Sequence, residues 1–191
     1  IWESVPDVLA SIANYLRQNG WQPGVGWGVE VVLPETVPCS LEGPDQGRPL
    51  AEWQAMGIRT VDGKPIAGRN PGQIAHLMMP AGRHGPAFIV SKNFYVLKTY
   101  NNSDLYALFI GHLADRIRGA GAIRGGWDEV GGFKRSDVLK MQQRLAARGV
   151  DVGNVDGLVG YKTRIAVGQW PQANGRPDTC FPDAALVKAI R

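Results

Sequence analysis

Apolar residues follow a helical spacing near the start of the chain. The stripe consists of Val5, Val8, Leu9, Ile12, Tyr15 and Leu16. Residues three and four positions apart share one face of a helix, so this spacing favours an amphipathic helix. Ser4 can cap its first turn, and Gly20 can take the left-handed conformation that commonly ends a helix. The pattern therefore predicts a helix of about four turns.

The pattern changes between about residue 21 and residue 92, where glycine, proline and short β-prone runs replace the helical spacing. Alternating side chains predict a half-buried strand over residues 27–33. Residues 76–79 and 87–90 are further strand candidates, and residues 49–57 have the spacing of a short helix. We expect a small β-rich subdomain with long loops, inserted between helical segments.

Helical spacing returns after this region. Phe94, Leu97 and Tyr100 share a face of one short helix, and Ser103 can cap a second helix that runs to Ile117. The apolar stripe of this second helix comprises Leu105, Leu108, Phe109, His112, Leu113 and Ile117. We expect its histidine to be a core residue. A glycine-rich linker over residues 125–132 then separates a first domain, residues 1–124, from a second, residues 133–191.

The second domain shows three short helical patterns. The first begins at Ser136 as its cap and stops at Gly149, and the others cover residues 161–170 and 182–190. Three short helices in some sixty residues predict a small helical bundle, which is marginal as an independent core.

Charge is distributed unequally between the two domains. The chain of 191 residues has a net charge of +4, but residues 1–129 hold 11 basic and 12 acidic residues, whereas residues 130–191 hold 10 and 5. A basic module favours polyanionic partners, which leaves nucleic acid, anionic lipid and an acidic cell-wall polymer open. No apolar run is long enough for a transmembrane helix. The sequence opens at Ile1 without a methionine, and we expect that an upstream segment has been removed.

Cysteine and histidine usage gives little support for metal or redox chemistry. Cys39 and Cys180 could pair or stay free, and without a sign of an oxidising compartment the free state is favoured. The histidines, His76, His84 and His112, lie far apart without ligand spacing, so we expect no metal site and no cofactor.

The most unusual local composition lies between Asn93 and Leu108. Tyr95, Tyr100 and Tyr106 surround Asn101 and a second asparagine at a corner between two predicted helices. Aromatic faces and amide groups suit a carbohydrate, because a ring stacks on the sugar while amides bond its hydroxyls. Alternatively, the asparagines only form the turn and the tyrosines fill a core. Composition alone favours this second, structural interpretation.

Longer segments carry a family resemblance. Residues 4–21, 48–65 and above all 85–117, GPAFIVSKNFYVLKTYNNSDLYALFIGHLADRI, resemble the second half of the catalytic domain of the membrane-bound lytic murein transglycosylase B family. Residues 135–170 are similar to a helical peptidoglycan-binding domain. The resemblance implies an α+β fold: part of a lysozyme-like transglycosylase domain with a small β-rich subdomain, followed by a three-helix peptidoglycan-binding bundle.

The family's reaction cleaves the bond between N-acetylmuramic acid and N-acetylglucosamine without net addition of water. One glutamic acid protonates the leaving oxygen and then helps the muramoyl 6-hydroxyl attack the anomeric carbon, which gives a 1,6-anhydro sugar. In the family this acid precedes the matched segments, so the resemblance implies no catalytic residue in this chain. Its own glutamates match no family acid and are expected to be solvated: Glu3, Glu30, Glu35, Glu42, Glu52 and Glu129.

What carries over from the family is part of the saccharide cleft. Asn101 is expected to hydrogen-bond the sugar, and Tyr100 and Tyr106 are expected to line the cleft. The implied partner is peptidoglycan in the periplasm or cell envelope of a Gram-negative bacterium, with no nucleic acid and with membrane contact only through an upstream lipid anchor. A monomer is expected. The alternative is a non-catalytic peptidoglycan-binding protein or fragment.

Overall fold

A computed structural model describes residues 3–66, 70–172 and 179–190, and its contacts group into two compact units. The first unit comprises residues 1–29 and 89–122, and the second comprises residues 30–88 and 123–191. The helices are α1 Val5–Gln18, α2 Leu50–Ala55, α3 Lys92–Tyr100, α4 Asp104–Ile117, α5 Arg135–Ala147, α6 Tyr161–Gln172 and α7 Ala184–Ala189. The strands are β1 Gly28–Val32, β2 Arg48–Pro49, β3 Arg59–Thr60, β4 Ile74–Met78 and β5 Ala87–Val90. Within the described ranges, no helix is long and apolar enough to cross a membrane.

The helices of the first unit begin and end where the sequence predicts. The Ser4 hydroxyl accepts the Asp7 N–H at the start of α1, and Gly20 has a φ of +86° just beyond its end. Ser103 caps α4 by accepting the Tyr106 N–H at 3.3 Å. Each cap satisfies backbone donors that a helix terminus leaves unpaired. These predictions from local spacing are confirmed.

The strands form one five-stranded sheet in the order β2-β4-β5-β1-β3. The three predicted strands are confirmed as β1, β4 and β5. The edge strands β2 and β3 have two residues each, and the sequence did not predict them. Both pair antiparallel with their neighbours, with Val31 opposite Thr60 and Arg48 opposite Ala75. Strands this short leave too little alternation for a sequence pattern to detect.

The C-terminal helices pack around an apolar core of their own. Its buried residues are Val138, Met141, Leu145, Val152, Ala166, Val167, Leu186, Val187 and Ile190. The start of α5 differs from the prediction, because the helix begins at Arg135 with Lys134 as its cap. The Asp137 carboxylate accepts the Lys134 N–H at 2.8 Å. Ser136 as the cap was therefore wrong, because it lies within the helix and the Asp137 carboxylate caps the Lys134 N–H instead.

A disulfide joins Cys39 to Cys180, with 5.5 Å between their Cα atoms. The expectation that these cysteines stay free was wrong. Cys39 lies in the short 3₁₀ turn Cys39–Leu41 of the β-rich region, and Cys180 lies just before α7, so 141 positions separate the two in sequence. Their pairing depends on the tertiary fold, which spacing alone cannot reveal.

A buried ion pair joins Glu42, which follows the Cys39–Leu41 turn, to Arg164 of α6. The Arg164 guanidinium of α6 donates two hydrogen bonds to Glu42 Oε1, at 2.9 and 2.7 Å, and one to Oε2 at 3.0 Å. Glu42 Oε1 also accepts the Met79 N–H at 2.9 Å, and both charged side chains are essentially inaccessible to water. The expectation that Glu42 is a solvated charge was therefore wrong. A glutamate can be buried only where such partners replace its water.

The Glu42→Gln substitution should lower the free energy of unfolding by about 3–5 kcal/mol, because it leaves the Arg164 charge buried without its counter-ion. Urea denaturation of the full chain measures this loss. Glu52→Gln is the matched control, since the Glu52 side chain is 52% exposed and pairs with Arg48 on the surface. Its effect should stay within about 0.5 kcal/mol. Equal denaturation midpoints for both variants would contradict the assignment.

Candidate functional site

The three residues predicted to bind saccharide lie together at the corner between α3 and α4. Tyr100 is the last residue of α3, Asn101 follows it, and Tyr106 lies in the first turn of α4. The rings of Tyr100 and Tyr106 are stacked, with their centroids 5.9 Å apart and an angle of 21° between their planes. Tyr100 is 71% exposed and Asn101 is exposed. Tyr100 therefore does not fill a core, and most of its side chain is open to solvent.

A third tyrosine, which the sequence interpretation assigned only to an apolar stripe, belongs to the same group. Tyr15 of α1 meets the Tyr100 ring edge-on, with the centroids 6.1 Å apart, and its hydroxyl donates to Thr99 Oγ1 at 3.3 Å. Edge-to-face contact is a favourable geometry for aromatic rings. Tyr15 is the one residue with a polar group on an otherwise aliphatic stripe. That hydroxyl was the only sequence signal that could have indicated its contact with Tyr100.

An ion pair holds the corner itself. The Lys98 ammonium lies 2.6 Å from the Asp104 carboxylate, and both side chains are only about 15% exposed. The Ser103 N–H also donates to the Asn101 carbonyl at 2.7 Å. A pair with this little exposure is screened less by water than a surface pair. The corner therefore presents Tyr100 and Asn101 from a constrained backbone.

Asn93 is a second residue whose role the sequence did not predict. It is fully buried at the start of α3, and its amide oxygen accepts the Gln22 N–H at 2.8 Å. Its amide nitrogen donates to the carbonyls of Gln22 and Val25 at 2.9 and 2.8 Å. Asn93 thus fixes the loop that follows α1, and its function is structural although it lies in the same asparagine-rich segment as Asn101.

Trp27 and Gly111 determine how closely α4 packs in this unit. The Trp27 indole N–H donates to Asp115 Oδ2 at 2.6 Å, and its ring lies against Gly111 of α4. A Cβ at position 111 would come within 2.6 Å of the ring. The missing side chain therefore allows the helix that carries Tyr106 to approach the tryptophan closely.

The site offers stacking surfaces and amide hydrogen bonds, and the carboxylates of its helices are already engaged. Asp104 pairs with Lys98, and Asp115 accepts from Trp27 and also pairs with Arg118. Exposed aromatic rings beside an amide can hold a polyhydroxylated ligand by its apolar faces and its hydroxyls. The geometry supports binding and orientation of a sugar.

Most residues of the apolar stripes of α1 and α4 are exposed, although Leu108 is buried. Val5, Leu9 and Ile12 of α1 have exposures between 52% and 70%, and α1 buries none of its residues in the described part of the chain. On α4, Phe109 and Ile117 are 60% and 78% exposed. His112 lies on the same stripe and is partly buried. Large exposed apolar faces of this kind mark contact surfaces.

Comparison with known proteins identifies the family. Residues 1–115 match the model of the "Transglycosylase SLT domain" family, and residues 134–190 match that of the "Putative peptidoglycan binding domain". The chain belongs to the transglycosylase SLT domain family. The family resemblance and the α+β fold class are thereby confirmed.

Two solved structures of one protein resemble the whole chain. The crystal structure of SltB3 from Pseudomonas aeruginosa in complex with NAG-anhNAM-pentapeptide has 44% sequence identity and a TM-score of 0.87. The complex of the same protein with NAG-NAM-pentapeptide has the same identity and a TM-score of 0.88. Each match covers 100% of this chain and 51% of SltB3, so the chain spans about half the length of that protein. No curated protein matches the chain.

The Gly111→Ala substitution should destabilise the protein by about 1–3 kcal/mol, because the added methyl group would overlap the Trp27 ring. The measurement is the urea denaturation midpoint. Gly121→Ala is the control, since no atom of the described structure lies within 4 Å of a Cβ at position 121. A loss of stability confined to Gly111→Ala would support the close packing of α4. A wild-type midpoint for Gly111→Ala would contradict it.

Proposed function

We propose that this chain is the C-terminal part of a lytic transglycosylase that cleaves peptidoglycan. In this proposal the first part of the chain forms one side of the glycan cleft. Its C-terminal module binds the cell wall. The observation that carries the proposal is the exposed Tyr100 and Asn101 corner within residues 1–115, the range that matches the transglycosylase family. The SltB3 complexes support it, because both contain a disaccharide pentapeptide.

The exposed faces of α1 and α4 support an incomplete catalytic domain. Leu9, Ile12 and Phe109 are exposed, and burial of such side chains by a preceding segment would be worth about 1.5–3 kcal/mol each. We assign this face to contact with a preceding segment that supplies the glutamic acid. The apolar cover would also keep that acid in a dry site, which raises the pKa of a carboxyl group.

In this mechanism the chain binds and orients the glycan. Tyr100 and Tyr106 stack against sugar faces, and the Asn101 amide holds hydroxyl or acetamido groups, so that the scissile oxygen lies at the acid of the preceding segment. That acid protonates the leaving oxygen, and its carboxylate then takes the proton from the muramoyl 6-hydroxyl as it attacks the anomeric carbon. The nucleophile belongs to the substrate, so one carboxyl group is enough.

The basic C-terminal module suits the same substrate. Peptidoglycan carries carboxylates on its peptides, and residues 130–191 hold 10 basic against 5 acidic residues. We place the protein in the periplasm or cell envelope as a monomer, bound to glycan strands and held at a membrane only by an upstream lipid anchor. The Cys39–Cys180 disulfide supports an envelope location, because disulfides persist in oxidising compartments.

The isolated chain should release no anhydromuropeptides from purified sacculi, because the proposed acid lies outside it. Mass spectrometry of the soluble products measures this. Joining the unmatched part of SltB3 ahead of this chain should restore release. Anhydromuropeptides from the chain alone would overturn the location of the acid. A folded chimera that binds sacculi without cleaving them would instead favour a non-catalytic peptidoglycan-binding protein, which the match of residues 134–190 also permits.

In the active chimera, Asn101→Ala should lower kcat/KM about tenfold, the effect of losing one or two hydrogen bonds to the sugar. Asn102→Ala is the matched control, because Asn102 is the adjacent exposed asparagine. The rates come from anhydromuropeptide release, and circular dichroism checks the fold of each variant. If the two variants have equal kinetics, Asn101 only forms the turn.

A further inference from the structure

A cavity lies in the second unit. Its volume is about 450 Å³. The loop after the Cys39–Leu41 turn forms one side, and the segment from the end of α5 into α6 forms the other. The side chains that can reach a ligand there are Asp45, Gln46, Asp151, Tyr161, Lys162 and Gln169. Only part of this lining falls within residues 134–190, so the binding-domain family alone does not define the cavity.

Tyr161 forms a fixed wall of the cavity. Its hydroxyl donates to Asp45 Oδ2 at 2.7 Å, and its ring lies directly over Gly43. A Cβ at position 43 would be 2.3 Å from the ring, and Gly43 has a φ of +103°, so glycine is required on both counts. An aromatic ring held in place in this way offers a flat apolar face at little cost in conformational entropy.

Amide groups provide hydrogen bonding beside this ring. In the part of the chain that the structure describes, the Gln46 and Gln169 side-chain amides take part in no hydrogen bond within the protein, and Gln169 is exposed. Each amide offers two donors and an acceptor. An aromatic face flanked by amide groups suits a polyhydroxylated or acetamido ligand.

The charges around the cavity disfavour an anionic ligand. Lys162 is the only cation among the lining residues described, and it is paired with Asp151 at 2.7 Å. The hydrogen bond from Lys162 holds the pKa of Asp151 below its ordinary value, so the pair persists at neutral pH. Glu42 is matched by Arg164, and the Asp45 carboxylate adds negative charge. The carboxylates of a peptide stem would be repelled here.

We propose that this cavity is a saccharide subsite that binds an N-acetylated amino sugar of the glycan strand, formed jointly by the 42–46 loop and the C-terminal bundle. The proposal rests on the proposed function, since it takes the glycan strand as the ligand. In this proposal the cavity binds neutral sugar, and the basic residues of the C-terminal module outside the cavity attract the charged peptides.

The test is a titration of the full isotope-labelled chain with chitotetraose, followed by NMR. The side-chain amide signals of Gln46 and Gln169 and the backbone signals of Tyr161 and Lys162 should shift with a common affinity. That affinity should change less than twofold between 50 and 500 mM salt, because the ligand is neutral. The Gln46→Ala/Gln169→Ala double variant should weaken it about tenfold or more. Gln143→Ala, an exposed glutamine of α5 outside the cavity, should leave it unchanged.

Three other outcomes would overturn the proposal. If chitotetraose shifts only signals near Tyr100 and Asn101, the cavity is not a subsite, although the proposed function stands. If a stem peptide shifts the cavity signals and chitotetraose does not, the ligand class is wrong. If the chain binds neither chitotetraose nor sacculi, the glycan-binding function fails together with the subsite.

Discussion

The buried pair of Glu42 and Arg164 is the interaction on which the second unit depends. Two opposite charges without access to water are tolerated only when every strong donor and acceptor finds a partner. Here the guanidinium also donates to the Val159 carbonyl, and the carboxylate also accepts from Met79. The pair therefore ties α6 to the loop after Cys39 and to the end of β4, and the Cys39–Cys180 disulfide closes the same region covalently. Displacing either partner would leave a buried charge.

Because of this ion pair and disulfide, the C-terminal module is not bounded in the structure as it is in the sequence. As a sequence family it is a short helical segment, residues 134–190, with an apolar core of its own. As a structure it shares its compact unit with residues 30–88. The loop that supplies Glu42 also supplies Asp45 to the hydroxyl of Tyr161. Any ligand site at this junction therefore belongs to both segments.

The first unit combines a constrained corner with an open apolar face. Asn93, Trp27 and the Lys98–Asp104 pair hold α3 and α4 in fixed positions, so Tyr100 and Asn101 are presented without much local freedom. Most residues of the α1 and α4 stripes, by contrast, are apolar side chains exposed to solvent. An exposed corner of aromatic and amide side chains next to an uncovered apolar face is the arrangement expected of one side of a cleft.

The sequence by itself determined the local structure: the caps Ser4 and Ser103, the main strands, and the corner that holds Tyr100, Asn101 and Tyr106. These depend on neighbouring residues, whose spacing a sequence displays. Only the tertiary structure decided that Cys39 pairs with Cys180, that Glu42 is buried and that Tyr15 joins the tyrosine group. Each of these joins residues far apart in the chain. Helical spacing can show that a face is apolar, but which partner buries a side chain depends on contacts that spacing does not encode.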